Sequence, residues 1–278
     1  MEDDPSQLRA IAARSAAVTG GGVRNFVTGA ALLGRGLGLV LRSPRLLALG
    51  LLPALISGIL YSAAVIALII FIADISAAAT SFAADWSATW RDLIQILAGI
   101  AILGIGALLG VLTFTAVTLL IGDPFYEQIS VRVENRFGGV HSEIEVGFWP
   151  SLRRSLVDSL RLIGLSILFG IPLLLLGFIP VVGQTVAPVL GAAVGGWLLA
   201  VELTGVPFQR RGKHLRHRRA ALKGNRPMAL GFGVAVFLSF LIPLGAILLM
   251  PAAVAGATLL ARKVLALPIE ITTVRTTL

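Results

Sequence analysis

Two uninterrupted apolar runs, at residues 46–73 and 93–122, constrain this chain more than any other feature. Each exceeds the roughly 20 residues that a helix needs to cross a hydrocarbon core of about 30 Å. A soluble fold would have to bury both runs, and the composition opposes that. Only 13% of the 278 residues are charged and 56% are hydrophobic, whereas soluble domains are about a quarter charged. The same balance excludes a disordered chain. Backbone polar groups inside lipid must be satisfied within their own segment, so the runs read as helices of an all-α integral membrane protein. Because both are longer than one crossing, they tilt or project beyond the lipid. The chain has no cysteine, which removes disulfides, thiol nucleophiles and Cys-ligated metals.

The flanks of these spans have their own patterns. The start, MEDDPSQLRA, carries three acids and no basic region leading into an apolar core. It does not read as a signal peptide, and residues 1–23 are expected to be a disordered cytoplasmic leader. Residues 24–42 repeat with helical period: Arg24, Thr28, Arg35 and Arg42 share one stripe, with Phe26, Leu33, Leu37 and Val40 opposite. A basic stripe with an apolar back predicts an interfacial helix. Glycines at 29, 34, 36 and 38 weaken it, so it needs neighbours to stay helical. Between the spans lie Asp74, Asp85 and Asp92 against Arg91 alone, with Trp86 and Trp90 fitting an interfacial belt.

Gly122-Asp123-Pro124 ends the second apolar run. Residues 124–136 then read as a polar helix, followed by a loop with Gly138, Gly139 and Pro150 and an amphipathic start at 151–161. The whole of 123–161 is expected to be a cytoplasmic segment. Two paired apolar runs follow. The first pair, within 162–203, turns at Ile179-Pro180; the second, within 228–261, turns at Ile242-Pro243. Each has a second proline eight positions on, at Pro188 and Pro251, and then a small-residue stretch, GAAVGG or AAVAGA. This reads as an internal repeat of a helical hairpin. A leg of 15 residues reaches about 22 Å, short of the hydrocarbon thickness. The second hairpin is therefore expected to be re-entrant, and the first either spans or re-enters.

Charge orients the chain. With the N-terminus inside and both hairpins returning to the side they left, Arg91 alone of the 23 Lys and Arg residues lies outside. That satisfies the positive-inside rule and places the chain in the cell membrane with both termini cytoplasmic. The basic loop 204–227 and the tail 262–278, with Arg262 and Lys263 at its head, fall on the cytoplasmic side.

No catalytic constellation is present. His141, His214 and His217 lack metal-ligand spacing, and there is no phosphate loop, nucleophile elbow or intramembrane carboxylate pair. The chain is not expected to be an enzyme or to hold a cofactor or metal. The run at 210–226 has eight Lys or Arg and no acid. It reads either as a topology-setting loop that touches anionic lipid or as an electrostatic mouth for an anion; without interleaved aromatics, nucleic acid is not a partner. Arg42-Ser43-Pro44-Arg45 heads the first span. Ser43 suits an N-cap and Pro44 the first helical position, which would leave the amides of Arg45, Leu46 and Leu47 facing outward at the positive end of a helix. Arg42 and Arg45 would add charge and donors. This is either an anion site or an ordinary cap with two headgroup anchors. Glu202, an acid inside an apolar run, is a functional candidate or a carboxylate snorkelling to a loop arginine. Gln184, together with Thr113, Thr115, Thr118, Thr185 and Ser239, either lines a polar path or bonds to its own helix.

Three stretches resemble the CysZ-type sulfate transporter family, the bacterial branch of the etoposide-induced-protein domain family. They are Asp123-Pro124-Phe125-Tyr126-Glu127 with Val133-Glu134; Arg219-Ala220-Ala221-Leu222 with Asn225-Arg226 and Leu230-Gly231-Phe232-Gly233; and IPLGAILLMPAAVAGATLL at 242–260. The resemblance implies an amphipathic first helix, two long transmembrane helices and two hemi-penetrating hairpins. It also implies a homo-oligomer that takes up sulfate for cysteine synthesis without ATP hydrolysis, and it adds Asn225 and Arg226 as candidates at a pathway mouth. The family's sulfate loop, Pro-Gly-Leu-Arg-Arg, falls on Pro44-Arg45-Leu46-Leu47-Ala48. Both family arginines are replaced, by Leu47 and Ala48, so the charge must come from Arg42 or Arg45. Two functions are thus expected to compete: a passive permease for sulfate or a similar oxyanion, and a membrane scaffold without transport.

Overall fold

A computed structural model describes residues 21–140, 148–242 and 244–270. Most of the expected leader, His141, Pro243 and the tail beyond 270 lie outside the described residues. Among those described there is no strand. The helices are α1 (Gly22–Leu41), α2 (Pro44–Ala79), α3 (Ala88–Arg136), α4 (Phe148–Gly177), α5 (Val182–Leu203), α6 (Gly205–Gln209), α7 (Leu215–Gly224), α8 (Arg226–Phe240) and α9 (Gly245–Val264), with a 3-10 turn at Ser81–Ala83. Five of them, α2, α3, α4, α5 and α9, contain stretches long and apolar enough to cross a membrane. The chain is a membrane protein, all-helical among its described residues.

The two long helices exceed the expected spans. At 1.5 Å per residue, the 36 residues of α2 and the 49 of α3 correspond to helical contour lengths of about 54 and 73 Å. Gly122-Asp123-Pro124 ends the apolar run but not the helix, and Pro124 lies inside α3 as Pro53 lies inside α2. The residues divide into two compact units, one of Leu51–Phe125 and one of the chain up to Gly50 together with Tyr126 onward.

In the first of these units, α2 and α3 are bound by side chains on their facing stripes. Tyr61 and Thr113 share a hydroxyl hydrogen bond of 2.7 Å, and the Tyr61 ring meets Phe114 edge-on at 5.2 Å. Gly106 gives room to Leu68. The outward residues, among them Ile70, Val111 and Leu112, are exposed, which in a lipid solvent carries no hydrophobic penalty. Trp86 and Trp90, at the connection, are exposed as well.

The other unit is built around α9, whose most apolar stretch is 78% buried, against 6% for α2. Its neighbours are α1, α8 and α5, and the packing depends on glycine. A Cβ at Gly29 of α1 would strike the carbonyl of Met228 in α8, and one at Gly36 would strike that of Ala252 in α9. Gly196 of α5 and Gly233 of α8 abut each other in the same way. The expected division of α1 into two faces is therefore a division into three. Arg24, Arg35 and Arg42 are exposed on one side, and Gly29, Leu32, Gly36 and Val40 are buried against α8 and α9. Of the expected apolar back only Val40 is buried, and Phe26 stays exposed. Gly29 and Gly36 face protein because they allow backbones to meet.

Helices α4 and α5 pair, as do α8 and α9. Both reversals place a non-glycine residue at positive φ, Val181 at 67° and Leu244 at 60°. This is costly for a β-branched residue such as Val181, and each turn is tied by a 2.7 Å bond, from the Gly183 amide to the Ile179 carbonyl and from the Gly245 amide to the Ile242 carbonyl.

Replacing Gly29 with Val is expected to cost about 1–3 kcal/mol or more through overpacking. It should show as a lower melting temperature in detergent. Gly34→Ala, where an added Cβ meets nothing within 4 Å, should be neutral or stabilising by up to about 1 kcal/mol. Equal effects of the two substitutions would refute the packing argument.

Candidate functional site

At the corner between α1 and α2 the second helix starts where the sequence places it. Pro44 is the first residue of α2, and the Ser43 carbonyl accepts the Leu47 amide at 2.9 Å. That bond corrects one expectation. The Leu47 amide is spent inside the helix, and because Pro44 has no N–H, only the amides of Arg45 and Leu46 are left at the helix end. Arg42 and Arg45 are exposed, Ser43 is half-buried, and the Leu46 side chain is buried. The corner is anchored a turn later, where Gly50 packs against Pro251 of α9.

The other candidates do not gather at this corner. Gln184 is exposed in the first turn of α5, and Glu202 lies near its far end. Eighteen residues of helix separate them by about 27 Å. Glu202 and Ser166 are the polar residues on the wall of a mostly apolar cavity between α4, α5 and α8. Asn225 is buried at the junction of α7 and α8, with its Nδ2 meeting no acceptor, whereas Arg226 is exposed.

The most developed polar arrangement among the described residues centres on Glu134, whose side chain is fully buried. Arg211 approaches it as a fork, Nη1 to Oε2 at 3.0 Å and Nη2 to Oε1 at 2.6 Å. Arg262 Nη1 donates to Oε1 at 3.1 Å, and Arg210 Nη1 stands 3.9 Å from Oε2. Arg262 also donates to the carbonyls of Phe137, Gly139 and Pro268. Gly138 and Gly139, at φ 101° and 67°, let the chain curl back so that the Gly139 amide bonds the Glu134 carbonyl. Ser130 and Thr258 add a buried hydroxyl bond of 2.8 Å between α3 and α9. One carboxylate thus ties the end of α3, the chain after α6 and the end of α9, and three guanidinium groups around it leave a surplus of positive charge.

Sequence reasoning did not assign Glu134 this role. A signal was present, since a basic run without acids must find counter-charge elsewhere when its arginines are buried. Just beyond, burial lowers the pKa of Lys213 below 10.5 and the charge of Arg211 lowers it further.

Two outcomes are expected. Glu134→Gln leaves Arg211 and Arg262 buried without their counter-charge, which costs about 3–5 kcal/mol and should be read as a fall in melting temperature. For Lys213, the folded chain binds the proton less tightly than the unfolded chain does. Its contribution to stability therefore rises as pH climbs from the lowered value towards 10.5, and Lys213→Gln should flatten that alkaline rise in a melting-temperature profile.

Residues 32–251 match the family described as "Sulfate transporter CysZ/Etoposide-induced protein 2.4". Among curated relatives, a protein named sulfate transporter CysZ from Pseudomonas fluorescens is 36% identical over 151 residues, 53% of this chain and 60% of the relative. One of the same name from another strain is 34% identical over 157 residues, 55% of this chain and 62% of the relative. A third, from Pseudomonas syringae pv. tomato, is 34% identical over 53% of this chain and 59% of its own length. The chain therefore spans about 60% of the length of the curated relatives it matches. A match across residues 32–251 covers well over half of the 278 residues, and the chain belongs to the Sulfate transporter CysZ/Etoposide-induced protein 2.4 family.

Proposed function

We propose that this protein is a passive permease for sulfate or a similar oxyanion, working without ATP hydrolysis or a cofactor. The observation that carries the reading is the α1–α2 corner, where exposed Arg42 and Arg45 flank the open amides of Arg45 and Leu46 at a helix N-terminus. An oxyanion there trades water for backbone donors and guanidinium forks. The relatives' names point to the same cargo. The family's two loop arginines are Leu47 and Ala48 here, so Arg42 and Arg45 take over the charge.

On this reading α2 and α3 cross the cell membrane, both termini are cytoplasmic, and α1 lies in the interface. Its three faces support that placement: basic towards headgroups, glycine-lined towards protein, apolar towards acyl chains. The α8–α9 hairpin dips in and returns. The 15 residues of α8 reach about 22 Å, and the burial of α9 supplies the protein cover that re-entrant backbone requires. Gln184 and Glu202, at the two ends of α5, mark a path along that helix, with Asn225 and Arg226 at its basic mouth. Conduction between hairpins is completed in a homo-oligomer.

The test is radiolabelled sulfate flux into liposomes containing the purified protein. Saturable flux is expected, and Arg42→Ala with Arg45→Ala should raise the half-saturating sulfate concentration by about tenfold or more. Flux unchanged in a folded double variant would discard the corner and keep the permease. Absence of flux and of sulfate binding in the folded wild type would favour a scaffold that wedges α1 and the hairpins into one leaflet.

A further inference from the structure

We propose that the unit containing α4, α5, α7 and α8 holds a site for one anionic phospholipid, its phosphate bound by Arg161, Arg216, Arg219 and Lys223 and an acyl chain laid between α4, α5 and α8. The headgroup half follows from helix spacing. Positions 216, 219 and 223 share one face of α7, and Arg161 of α4 joins them around a cavity of about 500 Å³ lined by no acidic side chain. Guanidinium forks match the oxygens of a phosphodiester.

The acyl half begins one residue further on. Leu162 and Ile163 open a second cavity, of about 590 Å³, whose walls are completed by Leu198, Leu199, Phe237 and Phe240. Gly195 forms part of this wall too, and it leaves room for the Phe237 ring against its backbone. The Ser166 hydroxyl, also on the wall, is spent on the Leu162 carbonyl at 2.9 Å, so it offers the occupant no donor. Along α4, Ile163, Ile167, Leu168 and Ile171 are exposed, and the groove therefore adjoins a face already suited to hydrocarbon.

A free inorganic anion would use only the basic half. Arg161 and Leu162, successive residues of α4, line a cationic cavity and an apolar one respectively, and an amphiphile is the occupant whose two parts match both. The site does not depend on which anion the protein transports, and its test does not involve transport.

The test is native mass spectrometry of the purified full chain in detergent, titrated with phosphatidylglycerol or with phosphatidylcholine of the same acyl chains. Phosphatidylglycerol is expected to be retained more tightly by on the order of tenfold. Arg219→Ala with Lys223→Ala should abolish that preference. Ser166→Phe, which fills the groove without altering charge, should weaken both lipids. Melting temperatures check that the variants are folded. Inorganic phosphate, compared with chloride at matched ionic strength, should not displace phosphatidylglycerol. Equal retention of the two lipids, or a preference that survives the double variant, would overturn the proposal. Displacement by inorganic phosphate together with a silent Ser166→Phe would assign the basic cavity to a free anion instead.

Discussion

Close backbone approach between α1, α8 and α9 is the constraint on which the arrangement around α9 depends. In lipid, apolar side chains gain little by leaving one hydrocarbon environment for another, so helices associate through van der Waals contact and small residues. Gly29, Gly36, Gly196 and Gly233 stand where an added methyl would meet a neighbouring backbone. Two of the glycines that lower the intrinsic helicity of α1, Gly29 and Gly36, are thus residues that fasten it, and their cost in propensity is offset by contact unavailable to any larger side chain.

Glu134 acts elsewhere in the same unit. Its burial carries a desolvation cost that is offset by the fork from Arg211 and the donor from Arg262. Neither arginine belongs to its own helix, so the carboxylate specifies which segments meet. Arg262 then spends its remaining donors on carbonyls of the turn after α3 and of the chain after α9. The surplus positive charge this leaves suits a protein that attracts anions, whether solutes at a mouth or lipid headgroups at α7.

These features give the proposed permease a division of labour. The α1–α2 corner presents donors in water-accessible positions, Glu134 holds the basic segments in place, and the cavity beside Arg161 adjoins a lipid-facing side of α4. Each depends on different residues, so the corner and the cavity can be altered separately.

The sequence alone determined the solvent class, the helical character and the hairpin pairs, because each depends on local periodicity and run length. The uncharged stretches at 46–73 and 93–122 admit only helices in a bilayer, and Ser43-Pro44 starts α2 as their chemistry requires. The resemblance in Val133-Glu134 and in residues 242–260 pointed to the family that the match over 32–251 shows. Only the tertiary structure decided which face of α1 is buried and that Glu134 gathers Arg211 and Arg262. The last of these depends on residues 77 and 128 positions apart meeting in space. A helical period says which side chains share a face but not which face meets a neighbour, and a charge count says that a counter-ion is needed but not where it is found.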